Sequence, residues 1–374
     1  MMDDCLDIPQ TTPPLRQLQG RGALQNPTGR FESIELIYDP AELPPEDSDG
    51  QFIEGSWPDP NRLPTQFFKD HTQSIISTND SPDISFDASM NIYRGCEHGC
   101  IYCYARPTHE YLGLSAGLDF ESKIFVKTEA PQLLRKALAA KSWRPQVVVL
   151  SGVTDCYQPA ERHFKLTREC LKVFLEFRNP VSIITKNHLV TRDIDVLGEL
   201  AKFNCARVMV SLTTLDAELA RVMEPRTAQP AMRLKAIEEL ASAGIPVGVM
   251  MAPIIPGLTD HEIDKLLKAA ADAGAQSAGY TIVRLPYGVK ELFPTWLETH
   301  YPNRKNKVLN LLRGMRNGEL NDNRFGKRMG GVGAYADNID QLFELARKRH
   351  GFKGFSRLSV EHFQAAAGKQ LRLF

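Results

Sequence analysis

Three cysteines stand close together in the chain, with the spacing Cys96-x3-Cys100-x2-Cys103. Thiolates this close in sequence fold around one small object, and a cubane iron–sulfur cluster usually takes four of them. A set of three leaves one iron open, and an open metal position is typical of a catalytic site. The alternatives are a zinc knuckle with His98 as the fourth ligand and a chance grouping. Zinc prefers four closed ligands, and no second Cys/His pair follows at knuckle spacing.

The elements that must position these cysteines are predicted from a pattern that begins near residue 86. Short apolar runs occur at 90–94, 146–151, 181–185, 206–212, 246–252 and 278–283. Helix-like segments alternate with them near 129–141, 160–178, 191–203, 229–243 and 259–273. Strands that are apolar on both faces and alternate with helices indicate a parallel sheet covered by helices. Six such units predict an α/β fold with a partial (β/α)6 barrel of the TIM type, and the cysteine loop follows its first strand.

Regions of different composition flank this core. Residues 1–85 are rich in Pro, Asp, Gln, Gly and Ser, with one strand-like run at 33–38, and predict an irregular N-terminal extension. We predict the core over 86–285 and a mainly helical C-terminal region over 286–374, with helices at 305–316 and 337–349. Residues 1–60 carry a net charge of about −9 and residues 301–374 about +9. The basic end is a candidate for binding DNA or RNA; the alternative is a solvated or internally docked surface.

The composition limits which classes of protein this chain can belong to. With 43% hydrophobic and 24% charged residues, the chain is typical of soluble globular proteins. No apolar run is long enough to span a membrane, and the first residues lack the pattern of a signal peptide. Seven cysteines, an odd number of which three are clustered, favour a metal site in a reducing compartment over a disulfide framework. We therefore expect a cytoplasmic protein.

The run from Arg94 to Tyr104 resembles the signature of the radical S-adenosylmethionine (SAM) superfamily, in which an aromatic residue, here Tyr102, precedes the last cysteine. Over roughly residues 86–285, further stretches resemble the branch of spore photoproduct lyase and its relatives. They are Thr154-Asp155, Thr185-Lys186, Glu224-Pro225, 244–248 and Ala252-Pro253-Ile254. An N-terminal run resembles an extension of a bacterial subgroup of these relatives; it comprises Gly20-Arg21-Gly22-Ala23, Asn26-Pro27 and Arg30-Phe31-Glu32.

The resemblance implies a [4Fe–4S] cluster on Cys96, Cys100 and Cys103, whose open iron binds the amino and carboxylate groups of SAM. One electron, from a donor such as flavodoxin or ferredoxin, would cleave SAM to a 5′-deoxyadenosyl radical that abstracts hydrogen from a substrate. A nucleic acid is the first expectation for that substrate, and a small molecule or a protein is the second. The rival hypothesis is a non-catalytic iron–sulfur or zinc module that acts as a sensor or binds nucleic acid.

Residues at the strand ends are the candidates for holding SAM. SAM needs donors for a carboxylate, acceptors for an amine and hydroxyls, and an apolar slot for adenine. Polar residues at the C-terminal ends of barrel strands line active sites; those available here, with the apolar pair after the fifth strand, are Ser151, Asp155, Lys186, Ser211, Pro253 and Ile254. Arg226 is a further candidate for a carboxylate or phosphate. The alternatives are a surface lysine at Lys186, a turn residue at Ser211 and an ion pair of Arg226 with Glu224.

One departure from the lyase pattern concerns the hydrogen donor. The lyase uses a cysteine just before a Thr-Ser-Asp run, and Gly152 takes that place here. Cys156 lies four residues later and is a catalytic candidate for the donor role; the alternative is a small buried hydrophobe, which is what free cysteines usually are. Repair of spore photoproduct is therefore not the expected reaction. Cys170 and Cys205 stand in apolar contexts and are predicted to be core residues.

Overall fold

The computed structural model describes residues 18–31 and 63–365. Its strands are β1 (Gln66–Lys69), β2 (Ile76–Thr78), β3 (Ala88–Met90), β4 (Tyr93–Arg94), β5 (Lys123–Val126), β6 (Val148–Leu150), β7 (Val181–Thr185), β8 (Ala206–Ser211), β9 (Val247–Ile254) and β10 (Ser277–Ile282). Its helices are α1 (Leu118–Ser122), α2 (Ala130–Leu138), α3 (Glu161–Phe164), α4 (Leu166–Phe177), α5 (Ile194–Lys202), α6 (Ala217–Met223), α7 (Pro230–Ser242), α8 (Ile263–Asp272), α9 (Val289–His300), α10 (Pro302–Met315) and α11 (Ala334–Arg349).

The main sheet has seven strands in the order β10-β9-β8-β7-β6-β3-β2. All neighbours from β3 to β10 pair in parallel, and β2 is antiparallel to β3 at one edge. Six parallel strands with helices between them confirm the predicted partial (β/α)6 barrel. The strands are apolar on both faces because helices cover the outside while side chains fill the inside; all three residues of β6, for example, are buried.

Two chemical signals define where the helices begin. The Asp216 side chain accepts hydrogen bonds from the Glu218 and Leu219 amides, at 2.9 and 3.1 Å, and so caps the first turn of α6. A proline opens α7, where its missing amide hydrogen costs nothing because the first-turn amides have no partner within the helix. Both helices therefore start at residues fixed by the local sequence.

The structure corrects three details of the predicted elements. The predicted strand at 90–94 is two strands in different sheets, because β4 pairs with β5 and leaves the barrel. The predicted helix at 160–178 breaks at Lys165, whose φ of 52° lies in the left-handed region. Helix α9 was not predicted; it contains a proline, and three large apolar side chains (Phe293, Trp296 and Leu297) bury its inner face.

The flanking regions are joined to the barrel. β1 and β2, which precede residue 86, pair with strands of both sheets, while the run at 33–38 lies outside the described residues. The division of the chain at 85 and 285 stays a prediction. Helices α10 and α11 bear out the helical C-terminal region, and Cys170 and Cys205 are fully buried, as predicted. Within 18–31 and 63–365, every helix is too short or too polar to cross a bilayer.

The loop between α10 and α11 bridges the two edges of the open barrel. The Ile282 amide of β10 donates to the Met329 carbonyl at 2.8 Å, so the loop lies along one edge. At the other edge, Asp83 of the β2–β3 hairpin accepts the Gly326 amide at 2.6 Å and pairs with the Arg328 guanidinium. The partial barrel is therefore closed at the side by a loop rather than by strands.

Candidate cofactor site

The three cysteines lie on one buried loop that follows β4. Cys96 and Cys100 are buried and Cys103 is half-buried. The Gly99 amide donates to the Cys96 carbonyl at 3.3 Å, and the Cys103 amide donates to the Cys100 carbonyl at 3.2 Å, so the loop winds through successive tight turns. Gly99 has a φ of 65°, and a Cβ there would lie 2.8 Å from the Glu121 carboxylate, so only glycine fits.

The electrostatics of the loop suit a cationic group. Burial raises the pKa of the Cys96 and Cys100 thiols, so both are neutral when nothing is bound. A positively charged metal centre stabilises thiolates, as it does at other metal sites. The donor set is therefore one that releases protons when it takes up metal.

His98, the fourth ligand in the zinc alternative, is held by two other side chains. Its Nδ1 lies 3.3 Å from the Asp155 carboxylate and its Nε2 lies 3.3 Å from the Asn187 amide nitrogen, so both ring nitrogens are engaged. Within the described ranges, no three His, Cys, Asp or Glu side chains converge as they would around a single ion. A cubane cluster is wider than one ion, and three thiols with their neighbouring histidine already committed fit a cluster better than a closed zinc site.

Asp155 ties the ends of two barrel strands together. Its carboxylate accepts the Lys186 amide at 2.7 Å and the Thr185 hydroxyl at 2.8 Å, both at the end of β7. Burial alone would raise the pKa of Asp155, but the adjacent His98 and the backbone donors hold it below its usual value. The structure thus places Asp155 at the predicted edge with its oxygens already used by the protein. Its predicted contact with SAM stays a prediction.

Glu224 organises the part of the site that the sequence did not reveal. Its fully buried carboxylate accepts hydrogen bonds from the Tyr102 and Thr213 hydroxyls and pairs with the Arg233 guanidinium. Arg233 heads an otherwise apolar stripe on α7 that continues with Ala236, Ile237 and Leu240. A cation at a buried helix position needs a buried anion, and this is the signal that could have identified the pair.

Arg226 forms an ion pair with Glu97 rather than with Glu224, and its contact with a carboxylate or phosphate of a ligand stays a prediction. Its guanidinium lies 2.9 Å from the Glu97 carboxylate and 3.1 Å from the Thr65 hydroxyl. The alternative ion pair with Glu224 is not formed, because Arg233 occupies that carboxylate. Arg226 instead fixes the residue that follows Cys96, and its amide donates to the His98 carbonyl at 3.3 Å.

Lys186 points into the site rather than to the surface. Its Nζ lies 5.8 Å from the centre of the Tyr102 ring and 3.4 Å from the Ala252 carbonyl oxygen. No carboxylate of the described residues lies within ion-pair distance of this ammonium group. Glu224 holds Tyr102 through its hydroxyl, so the ring face that meets the ammonium group is fixed in place.

The other predicted residues lie at neighbouring strand ends. Ser211 is buried at the end of β8, where its carbonyl accepts a hydrogen bond from Arg233 at 3.2 Å. Pro253 and Ile254 end β9 and are buried. They end neighbouring strands beside β7, which Lys186 follows, and their contact with SAM stays a prediction.

Ser151 and Cys156 pair with each other. Ser151 has a φ of 77°, and its hydroxyl accepts the Cys156 amide at 2.8 Å. Cys156 is 2% exposed and packs in the main core, where burial raises the pKa of its thiol. This position agrees with the small buried hydrophobe that was the alternative. The donor role stays a prediction.

Tyr104 and Arg284 form a stacked pair that the sequence did not reveal. Tyr104 directly follows the last cysteine and is 48% exposed, and its hydroxyl donates to the Gly152 carbonyl at 2.6 Å. The Arg284 guanidinium lies 4.9 Å from the centre of its ring. No carboxylate of the described chain is within ion-pair distance of Arg284. Arg284 follows β10, so the rule that identified the other strand ends applies to it as well.

Comparisons with known proteins agree with this geometry. The sequence model described as the Radical SAM superfamily matches residues 90–270. An uncharacterized protein of Mycobacterium tuberculosis is 38% identical over 232 residues, which are 62% of this chain and 68% of that protein. An uncharacterized protein of Methanocaldococcus jannaschii is 33% identical over 174 residues, or 46% of this chain and 62% of that one.

A solved structure shares the fold. Spore photoproduct lyase complexed with dinucleoside spore photoproduct superposes with a TM-score of 0.54 at 16% identity, over 76% of this chain and 78% of that one. The likeness extends beyond the residues that the superfamily model matches. With the three cysteines on the buried loop after β4 and Lys186 beside it at the end of β7, the chain belongs to the radical SAM superfamily of enzymes.

Proposed function

We propose that Cys96, Cys100 and Cys103 hold a [4Fe–4S] cluster and that SAM binds beside it. The observation that carries this proposal is one buried loop with three thiols, whose neighbouring histidine is engaged elsewhere. When bound, the cluster supplies the electron that cleaves SAM to a 5′-deoxyadenosyl radical, which abstracts hydrogen from the substrate. The chain's own residues then have three tasks, which are to hold SAM, to exclude water and to place the substrate.

Lys186 is the group that meets the carboxylate of SAM. Its ammonium group is half-buried next to Tyr102, where a charge-assisted hydrogen bond to a carboxylate is stronger than in water. The apolar end of β9, with Pro253 and Ile254 buried, is the surface against which adenine packs. Ser211 closes this edge from β8.

The substrate in this proposal is a nucleic acid. Two exposed aromatic rings each have an arginine guanidinium over one face. These pairs are Tyr104 with Arg284, and Phe325 with Arg328, whose guanidinium lies 4.6 Å from the ring centre. Aromatic rings stack on unpaired bases, and arginine binds phosphate and stacks as well. Tyr104 adjoins the last cysteine, so a base stacked there lies next to the radical source. The basic C-terminal region adds charge that attracts a polyanion.

The cofactor chemistry is tested by oxygen-free reconstitution, reduction with dithionite and addition of SAM. We expect 5′-deoxyadenosine from the wild type and none from the Cys96→Ala/Cys100→Ala/Cys103→Ala variant. Lys186→Met is expected to weaken SAM binding while it leaves iron content unchanged, and Lys202→Met, on an exposed helix face, is its control. A complete cluster with no SAM binding would favour the sensor hypothesis, and bound zinc without iron uptake would overturn the cluster assignment.

The substrate class is tested separately with a fluorescent single-stranded oligonucleotide. Arg284→Met is expected to weaken binding and to lower the slope of log affinity against log salt by about 1. Arg221→Met removes an equal charge from an exposed helix position and serves as the control. Equal binding by the two variants, or binding that does not depend on salt, would contradict the nucleic-acid proposal.

A further inference from the structure

The N-terminal run 20–27, which we call the brace, lies against the back of the cysteine loop. Arg21 is fully buried, and its guanidinium donates to the Glu121 carbonyl at 2.5 Å and to the Leu63 carbonyl at 2.6 Å. It also donates to the Thr65 hydroxyl at 3.0 Å. A buried guanidinium that is bonded to two separate segments fixes both of them, because moving either one leaves a buried charge without partners.

One carboxylate connects the brace to the cysteine loop. Glu121 is fully buried and accepts the Gly22 and Ala23 amides at 2.9 and 2.8 Å. The same carboxylate pairs with the buried Arg106 guanidinium. Arg106 in turn donates to the Cys100 carbonyl at 2.9 Å. The brace therefore reaches a cysteine of the site through one anion and one cation.

The backbones of the brace and of the loop are also in direct contact. A Cβ on Gly22 would lie 1.9 Å from the Gly99 carbonyl oxygen and 3.1 Å from its carbonyl carbon. Both atoms belong to the backbone, so no side chain can turn away to make room. Gly99 immediately precedes Cys100, and the Arg106 guanidinium donates to the same Gly99 carbonyl at 3.1 Å.

We propose that the brace is a positioning element for the proposed cluster, so that the cysteine loop retains iron only while residues 20–27 are docked on it. The inference rests on the proposed cluster but goes beyond it, because it assigns a role to residues remote in sequence from every cysteine of the site. The brace makes its described side-chain and amide hydrogen bonds to residues other than the cysteines. It acts through Glu121 and Arg106 on the carbonyls of Gly99 and Cys100, as outer-shell groups act at other metal sites.

The test compares Gly22→Ala with Gly29→Ala. The same methyl group meets the loop backbone at position 22 and open space at position 29. After oxygen-free reconstitution of the full chain, we measure iron and sulfide per chain, retention of iron against a chelator, and the electron paramagnetic resonance spectrum of the reduced cluster. Gly22→Ala is expected to lower iron affinity by about 10–100-fold and to alter the spectrum, as loss of an outer-shell partner does. Gly29→Ala should behave as the wild type.

Two further variants separate positioning from general instability. Val173→Ala creates a cavity in the buried face of α4, and it should lower the melting temperature without changing the spectrum or the iron affinity. Glu121→Gln keeps the shape of the connecting side chain and removes its charge, and it should lose iron as Gly22→Ala does. If Gly22→Ala does not fold, Glu121→Gln tests the same connection between the brace and the cysteine loop.

Each outcome bears on one proposal. Folded Gly22→Ala and Glu121→Gln proteins with wild-type iron content, iron retention and spectrum would overturn the brace. Equal loss of iron in Val173→Ala would overturn it as well, since instability alone would then be the cause. Failure of the wild type itself to take up iron would overturn the proposed cluster instead.

Discussion

His109 makes the stability of the cysteine loop depend on pH. The imidazole is fully buried, packs edge-on against Phe120 with ring centres 5.6 Å apart, and would lie 3.0 Å from a Cβ on Gly95, the residue before the first cysteine. Neither ring nitrogen has a hydrogen-bond partner among the described residues. Burial lowers the pKa of His109 from 6.5 to about 4, because the charged form loses its hydration.

The sign and size of the effect follow from this shift. The folded-state pKa lies below the unfolded one, so the unfolded chain binds more protons between pH 4 and 6.5 and stability falls as pH falls through this window. Each pH unit inside the window is worth about 1.4 kcal/mol. Going from pH 7 to pH 5 crosses about 1.5 pH units of this window, from 6.5 down to 5. The free energy of unfolding therefore falls by about 2 kcal/mol.

Urea unfolding of the metal-free protein at pH 7 and pH 5 tests this reasoning. His109→Phe keeps an aromatic ring in the site and removes the titration, so the wild type should lose about 2 kcal/mol more than the variant between the two pH values. His71→Phe replaces an exposed histidine and should follow the wild type. An equal pH dependence of wild type and His109→Phe would refute the assignment of this proton to His109.

Two ion pairs give further predictions, one for stability and one for proteolysis. Arg233→Met leaves the Glu224 carboxylate buried without its cation and should lower the free energy of unfolding by about 3–5 kcal/mol. Adding Glu224→Gln to this variant should restore much of the lost stability. If it restores none, the proposed pairing is contradicted. Arg328→Ala removes the contact with Asp83 that closes the side of the barrel, so limited proteolysis should cut the bridging loop faster. Arg324→Ala breaks a contact within that loop, and equally fast cutting there would show that the bridge is not the cause.

The barrel could be predicted because its strands carry their own signal. Buried parallel strands are short and apolar throughout, and the helices between them have one apolar face, so the alternation is readable without tertiary information. The split of 90–94 was not readable, since an apolar residue such as Tyr93 does not say which sheet its strand joins. The break at Lys165 also depends on tertiary structure, because the Tyr93 hydroxyl holds the Glu161 carboxylate at 2.6 Å, and that carboxylate accepts the Thr167 amide at the start of α4.

Some features of the site could likewise be predicted from the sequence, and others could not. The cysteines are close in sequence, and Lys186 and Ser211 stand at strand ends, so spacing and topology were enough to predict where these residues lie. Partners that meet only in space were not found: Glu224 with Arg233, and Arg226 with Glu97. Arg226 was a candidate for a carboxylate or phosphate of a ligand, with an ion pair to its sequence neighbour Glu224 as the alternative. Its ion-pair partner in the structure, Glu97, lies more than a hundred residues earlier in the chain.

The distribution of charge around the cysteine loop is an argument for the class of ligand. The buried carboxylates near it each have a cation or several donors from the protein: Glu97, Glu121, Asp155 and Glu224. Lys186, after the central strand β7, and Arg284, after the edge strand β10, have no carboxylate within ion-pair distance in the described chain. Half-buried cations without counter-charges raise the local concentration of anions and hold them more strongly than exposed ones. Two separate cations beside one loop therefore favour two separate anionic groups, the carboxylate of SAM at Lys186 and a phosphate of the substrate at Arg284.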